Sequence, residues 1–382
     1  MSTILEQSQT QSTSLDTVRE RLAHQMRDRN RVGLGWFRFS CDVRYLTYWK
    51  KRVQTYFKIK LRSRGKGWQG YLESWQGGLG ILIAYTPVMT HTQREVLGVK
   101  TSPNEGMMTV DIPQSALDSL SEVNHLKLWI DFFGCDGATF TRVDIYYDDY
   151  CKIISPEELH KACKGGGVAV PNFRHMRGWD EYDMRKNKSR GFTVYIGSPK
   201  SDRQIRYYDK ALESDGKQDC YRLELEDKGD YAEQFGPYML KALERAMECA
   251  DVKDSVAVLR DAYKALLKGA ISFHDVPPGK GKEELPKNWA NRMPQTWWWK
   301  EMMAGIDPAK LTLERREPSL QGAVAWMRSQ VAPTLAMLRT AYNHWTIPFG
   351  EWLKQLLEEG ERRWTDRHWK TLEEALLTSP AY

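Results

Sequence analysis

Cysteine is scarce and scattered in this 382-residue chain: the six, at 41, 135, 151, 163, 220 and 249, form no Cys-x-x-Cys pair. That excludes the common zinc-site spacings and fits a reducing compartment better than a disulfide framework. The eight histidines are isolated, and no two are separated by a single residue, so a His-x-His metal pair is absent. No apolar run approaches the length that spans a bilayer. The opening "MSTILEQSQTQSTSLD" is polar and lacks the apolar segment of a secretory leader. The expected location is therefore cytoplasmic, with no membrane partner. No Gly-x-Gly-x-x-Gly occurs, and "GKGK" at 279–282 lacks the spacing of a phosphate-binding loop. No nucleotide site is assigned, and no internal repeat is visible.

What is present in quantity is charge, unevenly placed. Lys and Arg number 56 against 50 acids, a net +6, too modest by itself to imply nucleic acid. Between Lys50 and Lys66, however, "KKRVQTYFKIKLRSRGK" holds eight cations and no acid: Lys50, Lys51, Arg52, Lys58, Lys60, Arg62, Arg64 and Lys66. A second series runs through Arg185, Lys186, Lys188, Arg190, Lys200, Arg203, Arg206 and Lys210. Charge runs are usually solvated faces. Two of them, on segments that read as strands with aromatics interleaved, point to a surface that tracks phosphates.

The length suffices for two or three domains. Residues 1–30 read as a polar tail, with a short helix from Leu15 to Arg31. Residues 31–275 form a strand-rich domain. "LGWFRFSCDV", "VQTYFKIKLR", "GILIAYTP", "MMTVDI", "LKLWIDFFG" and "FTRVDIYYDD" are rich in β-branched and aromatic residues and read as strands. Ser155 and Pro156 open a helix that ends near Cys163. A mixed, charged segment leads to the strands "GFTVYIGSP", "RQIRYYDK" and "CYRLELED". From Asp230 apolar residues recur at helical spacing. Residues 276–294 are a Pro, Gly and Lys-rich linker, and 295–382 a helical, tryptophan-rich region whose Trp stripe reads as core or partner interface. The whole is an α+β protein: an antiparallel sheet with helices, and a helical C-terminal region.

The candidate chemistry sits on three of these strands. Alternation places Arg206, Tyr208 and Lys210 on one face, with Tyr207 on the other. Arg142, Asp144, Tyr146 and Asp148 share a face of the preceding strand, as do Arg222, Glu224 and Glu226 of the following one. Carboxylates in strand interiors are costly unless paired or bound to metal. Either Asp144 and Glu224 each pair with the Arg two residues before, or the acids converge on a divalent cation. Oxygen-only ligands favour Mg²⁺ or Mn²⁺.

The ordered set "TRVDIYYDD", "FTVYIGSPKSDRQIRYYDKALE" and "YRLELE" resembles the Rep_trans family of rolling-circle replication initiators of plasmids and filamentous phages, with related conjugative relaxases. The likeness is firm from Thr141 to about Gly236, the catalytic core being about 140–236, and looser over Gly33–Asp131. "WMRSQVAPTLAML" is similar to the family's tail. The resemblance implies an HUH-nuclease-like core without the His pair, which nicks one strand of an origin through tyrosine. The products are a 5′-phosphotyrosine and a free 3′-OH primer. It implies Tyr208 as nucleophile, although Tyr207 stands where Ile or Leu is usual. Arg206 and Lys210 would serve the phosphate, with Lys210 an alternative proton donor. Asp144 and Glu224 would be the metal ligands, Asp148 and Glu226 second choices. Lys50, Lys51, Arg52, Lys58, Lys60, Arg62, Arg64, Lys66 and Arg203 would contact DNA. Implied partners are origin DNA in single-stranded or cruciform form, a second copy of the chain and a host helicase, in a bacterial cytoplasm. The rivals are a conjugative relaxase, a non-catalytic origin-binding protein and a nuclease that activates water.

Overall fold

The computed structural model describes residues 29–98, 102–185, 187–214, 216–276, 292–309, 311, 320, 323–324, 327–345 and 348–377. The strands are β1 (Arg31–Asp42), β2 (Arg62–Ser63), β3 (Glu73–Gln76), β4 (Leu82–Tyr85), β5 (Met107–Pro113), β6 (Thr139–Asp149), β7 (Val168–Ala169), β8 (Met176–Asp183), β9 (Lys188–Ile196), β10 (Arg203–Asp209), β11 (Tyr221–Lys228) and β12 (His274–Asp275). Ten of them form one sheet in the order β2-β3-β4-β5-β1-β6-β11-β10-β9-β8, and β12 and β7 pair apart from it. All neighbours are antiparallel.

This order holds a symmetry invisible in the residues. In each half of the sheet the first strand pairs with the half's last, β1 with β5 and β6 with β11, and the earlier strands follow outward in reverse order. A helix follows each first strand, Leu46–Phe57 after β1 and Pro156–Lys164 after β6. The two halves meet at the central β1–β6 ladder, where Trp36 faces Asp144 and Arg38 faces Arg142.

The sheet has one dry face and one polar face. Period-two alternation sends Phe37 and Phe39 of β1, Val143 and Ile145 of β6, Leu223 and Leu225 of β11, and Ile205 and Tyr207 of β10 to the same side, where all are buried. The Glu122–Phe133, Gly229–Met247 and Val252–Ala270 helices cover that side. Phe37, Trp129, Phe132, Phe140 and Phe235 interlock there in edge, tilted and stacked contacts, geometry favoured by the aromatic quadrupole. The opposite face carries most of the charged residues of these strands; on the apolar side Asp149 is buried and Asp227 is paired with Arg203.

Two segments expected as strands are helices. The first half of "VQTYFKIKLR" ends the Leu46–Phe57 helix, which buries Trp49, Val53, Tyr56 and Phe57. Their spacing is helical, and packing on the sheet outweighs the local preference of aromatic and β-branched residues for strands. "LKLWIDFFG" falls in the Glu122–Phe133 helix, capped by Ser121 and burying Leu128, Trp129 and Phe132. The basic run is therefore no strand. Lys50, Lys51 and Arg52 ride a helix, Lys58 ends it in the left-handed region (φ 53), and only Arg62 and Ser63 pair with β3. In turn, the mixed segment before β9 contains the edge strand β8.

The chain divides into two compact units that part between Leu313 and Glu314. The expected linker lies outside the described residues at 277–291, as does the expected N-terminal helix up to residue 28. The Trp297–Met302 helix belongs to the first unit: Trp298 and Trp299 are buried against Phe273. In the second unit, Ala332–His344, Phe349–Glu361 and Asp366–Leu377 are helical. Its Trp345, Trp364 and Trp369 are exposed, so the Trp stripe splits between core and surface. Among the described residues no helix is long and apolar enough to cross a membrane.

Candidate active site

Strand register assembles the polar face row by row. Tyr208 stands opposite Arg222 and Arg222 opposite Asp148. Arg206 stands opposite Glu224 and Glu224 opposite Tyr146. Glu226 stands opposite Asp144 and Asp144 opposite Trp36. Residues as distant in the chain as Trp36 and Glu226 thus share one patch because β1, β6, β11 and β10 are adjacent. A cleft of about 1000 Å³ opens over it, lined among others by Gly35, Arg142, Tyr195, Arg206, Tyr208, Lys210, Glu224 and Glu226.

Tyr208 and Tyr207 part company as alternation requires. The Tyr207 hydroxyl donates to the Ile154 carbonyl at 2.6 Å on the buried side, whereas the Tyr208 hydroxyl donates to Glu224 Oε2 at 3.1 Å on the cleft side. Burial, followed by the charge of Glu224, holds the Tyr208 phenol well above its ordinary pKa, so the ring is protonated as it stands. Arg206 reaches Glu224 Oε1 at 2.9 Å and Asp144 at 3.8 Å. Its Nε is buried without a hydrogen-bond partner. The rest of the side chain is about a third exposed and lines the cleft beside the tyrosine, where a guanidinium suits a phosphate oxygen.

Lys210 departs from the expected strand. It is the first residue of a short helix, Lys210–Glu213, and is buried. Its ammonium pairs with Glu213, approaches Gln114 Oε1 at 3.4 Å and lies 5.7 Å from the centre of the Tyr208 ring. It therefore remains a neighbour of the phenol, though not by strand alternation.

The carboxylates divide into two groups. Asp144, fully buried, accepts two bonds from Arg142, at 2.9 and 2.6 Å. Arg142 also reaches Glu226 at 2.7 Å, and Glu226 pairs with Lys228. Burial works against the Glu226 charge, but Lys228 and Arg142 bring its pKa below the ordinary value. Asp144 goes the other way: burial, aided by Glu224 and Glu226, pushes it up to about 7 despite Arg142. Asp148 is different in kind. Both its oxygens accept from Arg222, at 2.6 and 2.7 Å, and Arg222 is itself wholly buried and stacked 3.8 Å from the centre of Tyr146. Of the two pairings with the Arg two residues before, Arg142–Asp144 forms, whereas Arg222 pairs across strands with Asp148, which it stands opposite. Asp148 is a structural anchor and does not fit as a metal ligand.

Asp144, Glu224 and Glu226 do fit a hard divalent cation by donor chemistry. Burial, more than neighbouring charge, holds Asp144 above its normal range, and a bound cation would offset the cost of ionising it there. Gly35 lies at the break in register of β1. A Cβ there would come within 3.1 Å of Glu224 Oε1 and 3.3 Å of Asp144 Cβ, so the glycine keeps the space over this pair open. Among the described residues no group of three His, Cys, Asp or Glu is already gathered as a ligand cage. The guanidinium groups of Arg142 and Arg206 occupy the carboxylates instead. Sequence reasoning overlooked Gly35, although a glycine inside a strand of large residues, here with Gly33 two residues before it, signals a bulge or close approach.

The expected DNA-contacting cations disperse. Arg203 is committed to Asp227 by two bonds of 2.7 Å and covers Tyr231 at 3.9 Å, so it is not a free phosphate contact. Lys50 lies over Trp75 at 3.5 Å, and Arg52 pairs with Asp131 at 3.0 Å. Lys51, Lys58, Lys60, Arg62 and Lys66 are exposed. Lys60, Arg62 and Arg64 line a second cleft of about 560 Å³.

Comparison with known proteins places this site in context. Residues 138–357 match the Rep_trans model, described as replication initiation factor. The putative DNA relaxase NicK of Bacillus subtilis (strain 168) is 28% identical over 223 residues, which cover 57% of this chain and 58% of NicK. The chain thus spans less than two thirds of that relative's length. The structure of a rolling circle replication initiator protein from Geobacillus stearothermophilus is similar with a TM-score of 0.52 at 15% identity, over 75% of this chain and 99% of that one. At that identity the likeness concerns the fold.

Proposed function

This chain belongs to the Rep_trans replication initiation factors, whose model spans more than half of it, and from that premise we propose that it nicks and rejoins one strand of DNA through Tyr208. The observation that carries this reading is the 3.1 Å contact between Tyr208 and Glu224 at the floor of an open cleft, with Arg206 beside both. A phenol near pKa 10 attacks poorly until it loses its proton. Glu224 is placed to accept that proton, since it already accepts the hydrogen bond.

In the proposed step the Tyr208 oxygen bonds to phosphorus, and the bond from phosphorus to the 3′ oxygen breaks. The phenol proton passes to Glu224. The 3′ oxygen leaves as a hydroxyl, protonated by Lys210 or by water, while the 5′ phosphate stays on Tyr208. Atoms and charge balance, and the phosphotyrosine retains the bond energy needed for rejoining. Arg206 supplies donors to the non-bridging oxygens, where charge develops. A divalent cation, Mg²⁺ or Mn²⁺, held by Asp144 and Glu224 with Glu226 in support, would supply further stabilisation of that charge. Arg142 would hold Asp144 and Glu226 in place.

The DNA strand must be unpaired for a tyrosine at the floor of a cleft to reach its phosphate. Initiation of rolling-circle replication and relaxase action at a transfer origin use this same chemistry, and the likeness to NicK keeps the second in view. The test is a covalent adduct, trapped on denaturing gels from the full chain, Mn²⁺ and single-stranded or supercoiled replicon DNA. Peptide mapping should find the 5′ phosphate on Tyr208. A product with no bound protein would instead indicate hydrolysis by activated water.

A further inference from the structure

Trp179 is 62% exposed on the outermost strand of the sheet, on the same face as Tyr208. Register makes that relation definite. Trp179 stands opposite Thr193, and Thr193 stands opposite Tyr208. Directly opposed residues share a face, and adjacent strands are about 4.8 Å apart, so the indole lies roughly 10 Å from the tyrosine with only a small threonine between them. Thr193 and Tyr195 line the same cleft as Tyr208. In the next row Arg177 is exposed and covers Tyr195 at 4.9 Å, and Tyr195 stands opposite Arg206. At the far end of the strand Glu181 and Asp183 are both engaged by Arg190, at 3.1 and 4.0 Å, which tempers the acids on this face of β8.

Resting on the nicking reading above, we propose that Trp179 is a stacking platform for an unpaired base next to the scissile phosphate. A single exposed aromatic is ordinary on a protein surface. One aligned with the nucleophile, beside a guanidinium stacked on a second ring, forms the pairing of aromatic faces and cations by which single strands are held. The phosphate track then runs over Arg206 and Arg177, and the base is laid on the indole. Thr193 is small enough to leave the passage open. The platform orients the strand and takes no part in the chemistry, so Trp179 is a positioning residue.

The test uses full-length chain carrying Tyr208→Phe, so that no cleavage intervenes. Two single-stranded probes of equal length are compared: an oligothymidylate and an oligomer of abasic residues, identical in phosphate charge. The parent should bind the oligothymidylate more tightly. Trp179→Ala should weaken binding of the oligothymidylate about ten-fold and leave that of the abasic oligomer unchanged, as expected for loss of one stacked base. Trp179→Phe should restore most of the difference. Equal affinities of the parent and Trp179→Ala for the oligothymidylate, with native circular dichroism in both, would overturn the proposal, as would equal loss on both probes. Failure of the wild-type chain to form an adduct would overturn the nicking reading alone, because the stacking measurement does not depend on cleavage.

Discussion

Tyr208 and Glu224 face each other diagonally across the β10–β11 ladder, the hydroxyl donating to Oε2 at 3.1 Å. The contact stabilises the neutral phenol and at the same time provides its proton acceptor. Tyr208→Phe should therefore abolish adduct formation while DNA binding stays within about two-fold, since the ring and its packing remain. Tyr207→Phe should still form the adduct, because that hydroxyl is spent on the Ile154 carbonyl. It should instead lower stability by about 1 kcal/mol, the usual net worth of a buried hydrogen bond. Adduct gels and denaturant melts of the two variants check both statements. An adduct on Tyr208→Phe that disappears in Tyr207→Phe would reverse the assignment.

The carboxylates should separate by the kind of damage their loss causes. Asp144→Ala and Glu224→Ala are expected to lose nicking and weaken Mn²⁺ binding. Gly35→Ala should reduce both with little loss of stability, by crowding the same pair. Asp148→Ala should leave Arg222 charged, buried and unpaired, at a cost of about 3–5 kcal/mol. Calorimetric titration with Mn²⁺ beside thermal melts distinguishes these outcomes. Normal nicking in both Asp144→Ala and Glu224→Ala would show the carboxylates to be structural ion pairs.

Salt dependence should locate the DNA surface. Lys60 and Arg62 are exposed at the second cleft, whereas Arg203 is tied to Asp227. Replacing Lys60 and Arg62 with Ala should flatten the slope of log affinity against log salt by about 0.9 per lost duplex phosphate contact, near two in all. Adduct yield at saturating protein should not change. Arg203→Ala should leave the slope unaltered and lower stability. A slope unchanged in the Lys60, Arg62 variant would identify this run as a solvated face.

His125, on the Glu122–Phe133 helix, provides a stability handle outside the cleft. Its ring shares a 2.9 Å hydrogen bond with the Tyr263 hydroxyl, and burial, aided by Arg260, lowers its pKa from 6.5 to about 4. Below 6.5 the unfolded chain takes up a proton that the folded chain refuses. Stability should therefore be fully present above that value and decline as pH falls toward about 4, by at most about 3 kcal/mol. His125→Gln should remove this part of the acid slope, seen in melts between pH 7 and 4. An identical slope in the variant would assign the acid loss to other groups.

Alternation within single strands was legible from residues alone. It placed Arg206 with Tyr208, Asp144 with Arg142, and Glu224 with Glu226 on common faces, and the structure keeps all three groupings. It failed where packing overrode local preference: the aromatic-rich segments containing Trp49 and Trp129 became helices because their apolar residues meet the sheet at helical spacing. Lys210, one residue past the end of β10, reaches the same cleft from the first turn of a helix and not by strand alternation.

What the sequence determined by itself is therefore local: which residues could share a strand face, which helices are capped, and the family whose ordered motif runs through "TRVDIYYDD", "RQIRYYDK" and "YRLELE". Tertiary structure alone decided which strands are neighbours, and with that every long-range partnership. Asp148 belongs to Arg222 and Tyr208 to Glu224 because β6, β11 and β10 are adjacent. The outer β8 likewise brings Trp179 into the row of the nucleophile. The physical reason is that alternation specifies a face, while strand order and register arise from burying one continuous apolar surface under the helices, a property of the whole sheet.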